Sequence, residues 1–348
     1  MRKLAILLVL GFLSLRCFGA TITREVNTGS AGGNGTTTAL SGPNAAYASL
    51  SAWNAAEAQD LTDNGGDVMV VNCAGTAADT TGVTLSGWTT GSTNYIEIVG
   101  NNTTGILDTS KYRMEVSTVI YCLRVVNAGS DFVRVRNMQF KNTNADGDCV
   151  EFDRAQAATY DHRVSNCILY GGVYGLYLGR TTVKAWNNVI YGMSTVGIWC
   201  LSGYAAPTAE LYNNTIINSV RGINAQSGTV TSKNNYAGGN TTGDYLGTFT
   251  SSSTHASSDA TGNTGLQNIA VSTSAGAYFT NVTGGSENLH INTSSALIDV
   301  GTSDPGSGLF SDDLDGVART GSWDIGADEF VAAGGGGGGD ARRVILVE

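Results

Sequence analysis

Five short segments in the middle of this chain repeat one pattern. They are RNMQF at residue 136, SNCIL at 165, NNVIY at 187, NNTII at 213 and NNYAG at 234. Aligned on Asn137, Asn166, Asn188, Asn214 and Asn235, they step by 29, 22, 26 and 21 residues. Three of these asparagines are followed eight or nine residues later by glycine and an apolar residue: Gly175-Leu176, Gly197-Ile198 and Gly222-Ile223. Near-periodic self-similarity of this kind signals a solenoid. The runs between turns are short and alternate, as in FVRVRNMQF and VYGLYLG, and no amphipathic helix fits between them. A period of about 22 residues holds three strands and three turns, one coil of a parallel β-helix, with coils stacked about 4.8 Å apart. The expected fold is therefore all-β, with three strands per coil. Asparagines in file along the stack would pass amide hydrogen bonds from coil to coil.

Composition agrees. Charged residues are 14% of the chain and hydrophobic residues 41%; there are 47 glycines and 3 prolines, which suits short strands and tight turns. The net charge of −10 argues against a general nucleic-acid binder, because phosphate contacts need Lys and Arg. Residues 1–20 read as a secretory signal: Arg2 and Lys3 precede an apolar run from Leu4 to Leu15 that is too short to span a bilayer. Cys17 raises a lipoprotein alternative, against which Arg16 speaks. The other cysteines, Cys73, Cys122, Cys149, Cys167 and Cys200, form no C-x-x-C pair and sit in strand-like runs, so they read as buried small hydrophobes and not as zinc ligands.

An all-parallel solenoid has two open ends that need covers. In front, residues 44–61 place Tyr47, Leu50, Trp53, Ala58 and Leu61 on one helical face, with Asn44 as the cap and VMVV as the first strand. Behind, SSALIDVGTSDP and DDLDGVARTGSWDIGADEF end the fold. A short helix leading into GDVMVV and then Asn-bearing coils resembles the pectin-lyase-like right-handed parallel β-helix proteins. The ending is similar to the terminal signature of exported β-helix proteins of the choice-of-anchor Q type, with Ala296 where that pattern has Pro. This resemblance implies fold and export and carries no activity. It divides the chain into a signal (1–20), a lead-in (21–43), a capped β-helix (44–330) and a Gly-rich tether with tail (331–348).

Eight carboxylates lie between Ser295 and Phe330, with Arg319 as the one opposing cation. Asp313 and Asp315 before Gly316 match part of a calcium loop, with Ser311 and Ser322 where its first and last ligands would stand; calcium is the alternative cofactor, and otherwise none is expected. Asp299, Asp324 or Glu329 as catalytic acids lack a nearby His or cationic clamp. The reading adopted is structural: Asp299 and its neighbours make turns, and Arg319 pairs with a carboxylate as the segment folds over the last coil.

Chemistry is sought instead in residues 142–154. Alternation in DCVEFD points Val150 and Phe152 inward and Cys149, Glu151 and Asp153 outward. Glu151 and Asp153, with Asp148 in the preceding turn and His162 further on, are the candidate acid–base groups of a glycoside hydrolase. The stretch weakly resembles polygalacturonase-like elements, but has Asn144 for an Asp and Gly147 between Asp146 and Asp148. Arg134, Arg136, Arg154 and Arg163, with Arg124, are candidates for a row gripping acidic sugars. The competing reading is a solvated, charge-interleaved face. Tyr174, Tyr177 and Trp199 are candidates for sugar stacking, on condition that Gly175 bends the strand.

After Phe330 come six glycines and DARRVILVE, read as a tether and a docking peptide for a protein partner. The favoured function is an exported, non-catalytic surface protein that binds glycans or packs into an extracellular assembly. A polysaccharide lyase or hydrolase is the first alternative and a virion-associated tail spike or fibre the second. No span for an integral membrane protein is expected.

Overall fold

A computed structural model describes residues 19–332, apart from 64–65, 127–128, 154–159, 202–205, 264–267 and 271–274. The signal through Phe18, Arg154 and the oligoglycine tail therefore lie outside the described residues. Among the described residues no helix is long and apolar enough to cross a membrane.

The chain winds as a right-handed parallel β-helix with three strands per coil. Sheet 1 has nine strands, from Thr21–Asn27 to Ser251–Ser253; sheet 2 has seven, from Val83–Thr84 to Gly243–Gly247; sheet 3 has nine, from Ala78–Asp79 to Asn268–Ala270. Within these three sheets the strands pair in parallel, so each strand meets its counterpart one coil away. Aliphatic side chains stack in register within the bore. Leu123, Val150, Leu176, Ile198 and Ile223 form one such file in sheet 2, and Val71, Ile98, Val135, Val164, Ala185 and Leu211 another in sheet 1, all buried. Each large aliphatic buried this way contributes about 1.5–3 kcal/mol. β-Branched and leucine side chains thus explain why strands form where they do. The five cysteines Cys73, Cys122, Cys149, Cys167 and Cys200 are free and buried in this core, as expected.

The asparagines occupy two adjacent files, where the sequence alignment has one. The inner file is Asn188, Asn214 and Asn235, all fully buried. Asn188 donates from its backbone N–H and Nδ2 to Asn214 Oδ1 (3.1 and 2.9 Å), and Asn214 donates likewise to Asn235 Oδ1 (2.9 and 2.9 Å). Each Nδ2 also reaches a carbonyl of the preceding coil: Val164, Ala185 and Leu211. This is the expected amide ladder. Asn137 and Asn166 do not belong to it. Their register partners are Asn187, Asn213 and Asn234, and the ladder positions in their own coils are Met138 and Cys167. All five residues of the outer file have positive φ, between 48° and 57°, at the corner joining sheets 1 and 3. Asparagine tolerates that left-handed conformation better than other side-chain-bearing residues.

Three further expectations are corrected. The front helix runs only over Leu50–Glu57, capped by Ser49, whose Oγ accepts from Ala52 N–H at 3.0 Å; Asn44 and Tyr47 precede it in a turn and a bridge. The lead-in is part of the solenoid, because Thr21–Asn27 pairs in parallel with Val68–Ala74 and is itself the first strand. The C-terminal segment does not plug the rear opening. It lies along the flank, where Ala275, Tyr278, Phe279, Leu289, Ile291, Leu297, Leu314, Ile325 and Ala327 cover Ile168, Val189, Tyr191, Ile217 and Tyr236 of sheet 3. At the far end of sheet 2 the 3-10 turn Ala260–Asn263 meets the edge strand, with Thr261 Oγ1 accepting from the N–H groups of Asp244 and Tyr245.

The outer asparagine file is the seam of that cover. Asn166 donates to Asp313 O (3.3 Å), Asn187 to Asp312 O (2.8 Å), Asn213 to Asp324 O and Gly326 O (2.9 and 3.0 Å), and Asn234 to Thr302 O (2.7 Å). Arg319 is its centre, buried, with Nη1 3.0 Å from Glu329 Oε2 and Nη2 reaching Asn187 Oδ1, Gly326 O and Ala327 O at 2.9–3.1 Å. The acids serve backbone N–H groups: Asp313 accepts from Asp315, Val317 and Glu329, and Asp324 from Asp299 and Phe330. These carboxylates and Arg319, with Asp299 at φ 57°, join the turns of a cover that lies on the flank and not over the rear.

Candidate functional site

The outer face of sheet 2 carries the titratable and aromatic side chains of the middle coils. Here the strands depart from strict alternation. In Tyr121–Val125 and Tyr174–Leu178 the second and third residues are both buried, and the first and fourth are not. At Gly175 the second position is also closely approached: a Cβ there would sit 2.6 Å from Gly197 O and 2.7 Å from the Ile190 side chain. Outward residues in these strands are three apart, and Tyr174 and Tyr177 share a face with both intervening residues buried. The same irregularity overturns the outward placement of Cys149. That thiol is fully buried, with Sγ directed at the carbonyls of Phe140, Tyr170 and Gly171, and Asp148 takes its place beside Glu151.

Register then assembles two neighbouring files. One runs Arg124, Glu151, Tyr177, Trp199, Asn224; the other places Tyr121 beside Asp148, and Tyr174 in line with Val196 and Arg221. Glu151 Oε2 is 2.8 Å from Arg124 Nε, and Asp153 is bound by Arg180 through Nε and Nη2 at 2.8 and 3.1 Å. The three rings touch one another: Tyr174 and Trp199 centroids are 4.5 Å apart, Tyr177 and Trp199 5.6 Å and nearly perpendicular, Tyr174 and Tyr177 5.7 Å. Trp199 Nε1 donates to Gln226 Oε1 at 3.0 Å. Arg221 has no ion pair among the described residues, and its Nε is buried without a hydrogen-bond partner.

Electrostatics separates the carboxyls. Burial, then the charge of Glu151, pushes Asp148 up to about 7, against the Tyr174 N–H and Arg124, which favour its ionised form. Burial raises Glu151, and Arg124 opposes the rise. Burial also raises Tyr177 to about 12, so the shelf presents neutral phenols at neutral pH. Asp148 therefore holds a proton near neutrality that an ordinary Asp would have lost. Its folded pKa lies above its unfolded one, so this group costs stability as pH rises from about 4 to about 7, and the full cost stands above that window. Replacement of Asp148 by Asn is expected to stabilise the protein at pH 8 and to change little at pH 4. Each tenfold change in proton affinity is worth about 1.4 kcal/mol. Asp148 is only partly buried, and solvent screening reduces the total to about 1–2 kcal/mol. Denaturant melts of both proteins across that range test it; equal differences at both ends would refute it.

Other sequence candidates fall elsewhere. His162 is fully buried inside the solenoid, its ring 4.7 Å from that of Phe152, which removes it from the surface chemistry foreseen for it. Arg134, Arg136 and Arg163 are on sheet 1, a different face from Glu151. Arg134 and Arg163 are register neighbours, as a row requires, but each cation is engaged. The Arg134 guanidinium lies 3.4 Å from the Tyr95 ring centre, Arg136 pairs with Glu97 at 2.8 Å, and Arg163 with Asp161 at 2.5 Å. Arg124 belongs to sheet 2 and does not line up with Arg163. A cleft of about 440 Å³ opens between sheet 1 and the C-terminal segment, bordered by Arg136, Trp186, Phe310 and Asp312; it is remote from the sheet 2 chemistry and is a packing seam in which Trp186 stacks on Phe310 at 5.7 Å. The sequence reading missed Arg221 and Arg180 as parts of the shelf. Arg221 sits immediately before the Gly222-Ile223 repeat element, which was the available signal.

Comparison with known proteins is sparse. No family model matches the chain, and no curated protein matches it. Among solved structures, the crystal structure of pectate lyase Pel9A is similar at 14% identity and a TM-score of 0.36, over 90% of this chain and 96% of that one.

Proposed function

We propose that this chain is an exported β-helix protein, released from or displayed at the cell surface after loss of residues 1–20, that binds glycans on the outer face of sheet 2. The observation that carries this reading is the mutual packing of Tyr174, Tyr177 and Trp199 on one half-buried shelf. Such rings offer flat apolar faces to sugar C–H groups and keep a polar edge in water. The carboxylates of Glu151 and Asp153 are already matched by Arg124 and Arg180, which suits a surface that orients a ligand more than one that turns it over. The β-helix with its C-terminal cover, from Thr21 to residue 330, is the binding unit and the tail (331–348) its docking element, in line with the resemblance to anchored exported β-helix proteins. Trp199→Ala is expected to weaken binding of the best ligand from a polysaccharide panel by roughly tenfold, about 1.4 kcal/mol. Unchanged affinity in that variant and in Tyr174→Ala would remove the shelf as the site.

A lyase or hydrolase is the second reading, favoured by one observation: Asp148 retains its proton close to neutral pH beside the ion-paired Glu151. It calls for unsaturated or reducing-end products on the same panel. Loss of those products in Asp148→Asn and Glu151→Gln, with binding intact, would establish it; absence of products from the wild-type protein would leave binding alone.

A further inference from the structure

The C-terminal cover brings together three side chains that no part of the glycan reading uses. His290 lies on the hairpin strand Asn288–Ile291, Asp315 in the turn after Leu314, and Asp328 in the closing ADEF run. One donor atom from each falls within 4.8 Å of the others. The protonation of His290 can be worked out from its neighbours. Asn288 Oδ1 accepts from the His290 backbone N–H at 3.2 Å, which identifies that amide atom as the oxygen, because a backbone N–H can only donate. The same oxygen is 2.5 Å from His290 Nδ1, so Nδ1 carries the proton. In the neutral ring Nε2 is then a bare lone pair, and it faces Asp315 Oδ2 at 2.7 Å. Two acceptors at that distance repel unless a cation bridges them. The bridge is either a proton, held by the ring or by the carboxyl, or a metal ion.

The surroundings are acidic. Asp313, Asp315 and Asp328 all act on His290 against the desolvation of its ring, and Arg319 is tied to Glu329. Asp315 Oδ1 is buried with no hydrogen-bond partner among the described residues. Asp328 is 5% exposed, and one backbone N–H, that of Ile291 at 2.7 Å, meets its carboxylate. A histidine whose far nitrogen is held by an amide oxygen is also how proteins orient an imidazole toward a metal.

We propose that His290 Nε2, Asp315 and Asp328 form a site for a divalent transition-metal ion, zinc being the best match to one imidazole and two carboxylates. Calcium, a hard ion served by oxygens alone, suits it less. Three protein donors leave a further position to water. The ion would fasten the hairpin, the turn and the last residues of the cover to one another, and so stabilise the seal over sheet 3. This inference is independent of any glycan site.

The test uses the full chain stripped with chelator and titrated with zinc chloride, with manganese and calcium as parallel arms, followed by calorimetry and thermal melting. The expected result is one equivalent of zinc, a higher melting temperature, and at least tenfold weaker binding in both His290→Gln and Asp315→Asn. Cobalt added to the wild-type protein gives an independent readout that needs no variant. Visible bands without thiolate charge transfer support the N/O donor set, whereas a thiolate band assigns the ion to the cysteines and overturns the proposal. Absence of saturable binding, or wild-type zinc affinity in both variants, overturns it too and leaves a proton as the only bridge.

Discussion

Arg319→Met is expected to destabilise the protein by about 3–5 kcal/mol, the cost of stripping one partner from a buried ion pair. The side chain has no solvent exposure, and it serves Glu329, Asn187 and the carbonyls of Gly326 and Ala327 together. Methionine fills most of the volume but leaves the Glu329 carboxylate uncompensated and, among the described residues, Asn187 Oδ1 without a donor, while Gly326 O keeps Asn213 and Ala327 O keeps Leu314. The second charge decides the mechanism. In the double variant Arg319→Met, Glu329→Gln part of the loss should return, because no charge is then stranded. Denaturant melts and limited proteolysis of the region 295–330 would read both effects. A single variant within 1 kcal/mol of wild type would mean that the cover is held by its apolar contacts to sheet 3 and not by this arginine.

Asn214→Ala should be comparably severe for a different reason. The side chain joins three coils: it accepts from Asn188 and donates to Asn235 Oδ1 and Ala185 O. Its loss leaves the Asn188 N–H, the Asn188 amide and the Ala185 carbonyl short of a partner in a fully buried file. Each such group costs about 1–3 kcal/mol, so a total of roughly 3–5 kcal/mol follows. Asn137→Gly is the control. Asn137 sits in the outer file at φ 57°, has no side-chain hydrogen bond among the described residues, and glycine adopts that φ freely. It should be close to neutral. Equal effects in the two variants would mean that turn conformation, and not the amide ladder, is what these asparagines supply.

The two predictions rest on residues that the sequence presented as one class. The doublets Asn187-Asn188, Asn213-Asn214 and Asn234-Asn235 were visible, and so was the period. What could not be seen was that the two members of each doublet have separate tasks, one holding the neighbouring coil and the other the C-terminal segment. Alignment on a repeated letter put Asn137 and Asn166 one position away from their structural equivalents. A slip of one residue exchanges the two faces of a strand, and no local pattern reports it. The shelf of sheet 2 has the same history. Glu151, Tyr174, Tyr177 and Trp199 were each identifiable, but alternation with period two joined Glu151 to Cys149. The three-residue spacing, in which the second and third residues of the strand are both buried, joins it to Asp148 and to the rings.

Sequence alone determined that this chain coils: short β-prone runs, turns rich in Gly and Asn and a period near 22 leave no other way to bury so many aliphatic side chains. It also pointed to turns and an arginine as the partners of the C-terminal acids. Tertiary structure alone decided where the C-terminal segment goes, which asparagine faces it, and which carboxyl meets which ring. Those outcomes depend on contacts between residues about 70 to 150 positions apart, such as Asn234 with Thr302 and Asn166 with Asp313. Periodicity encodes what a residue's own coil needs; it is silent on which distant surface comes to cover it.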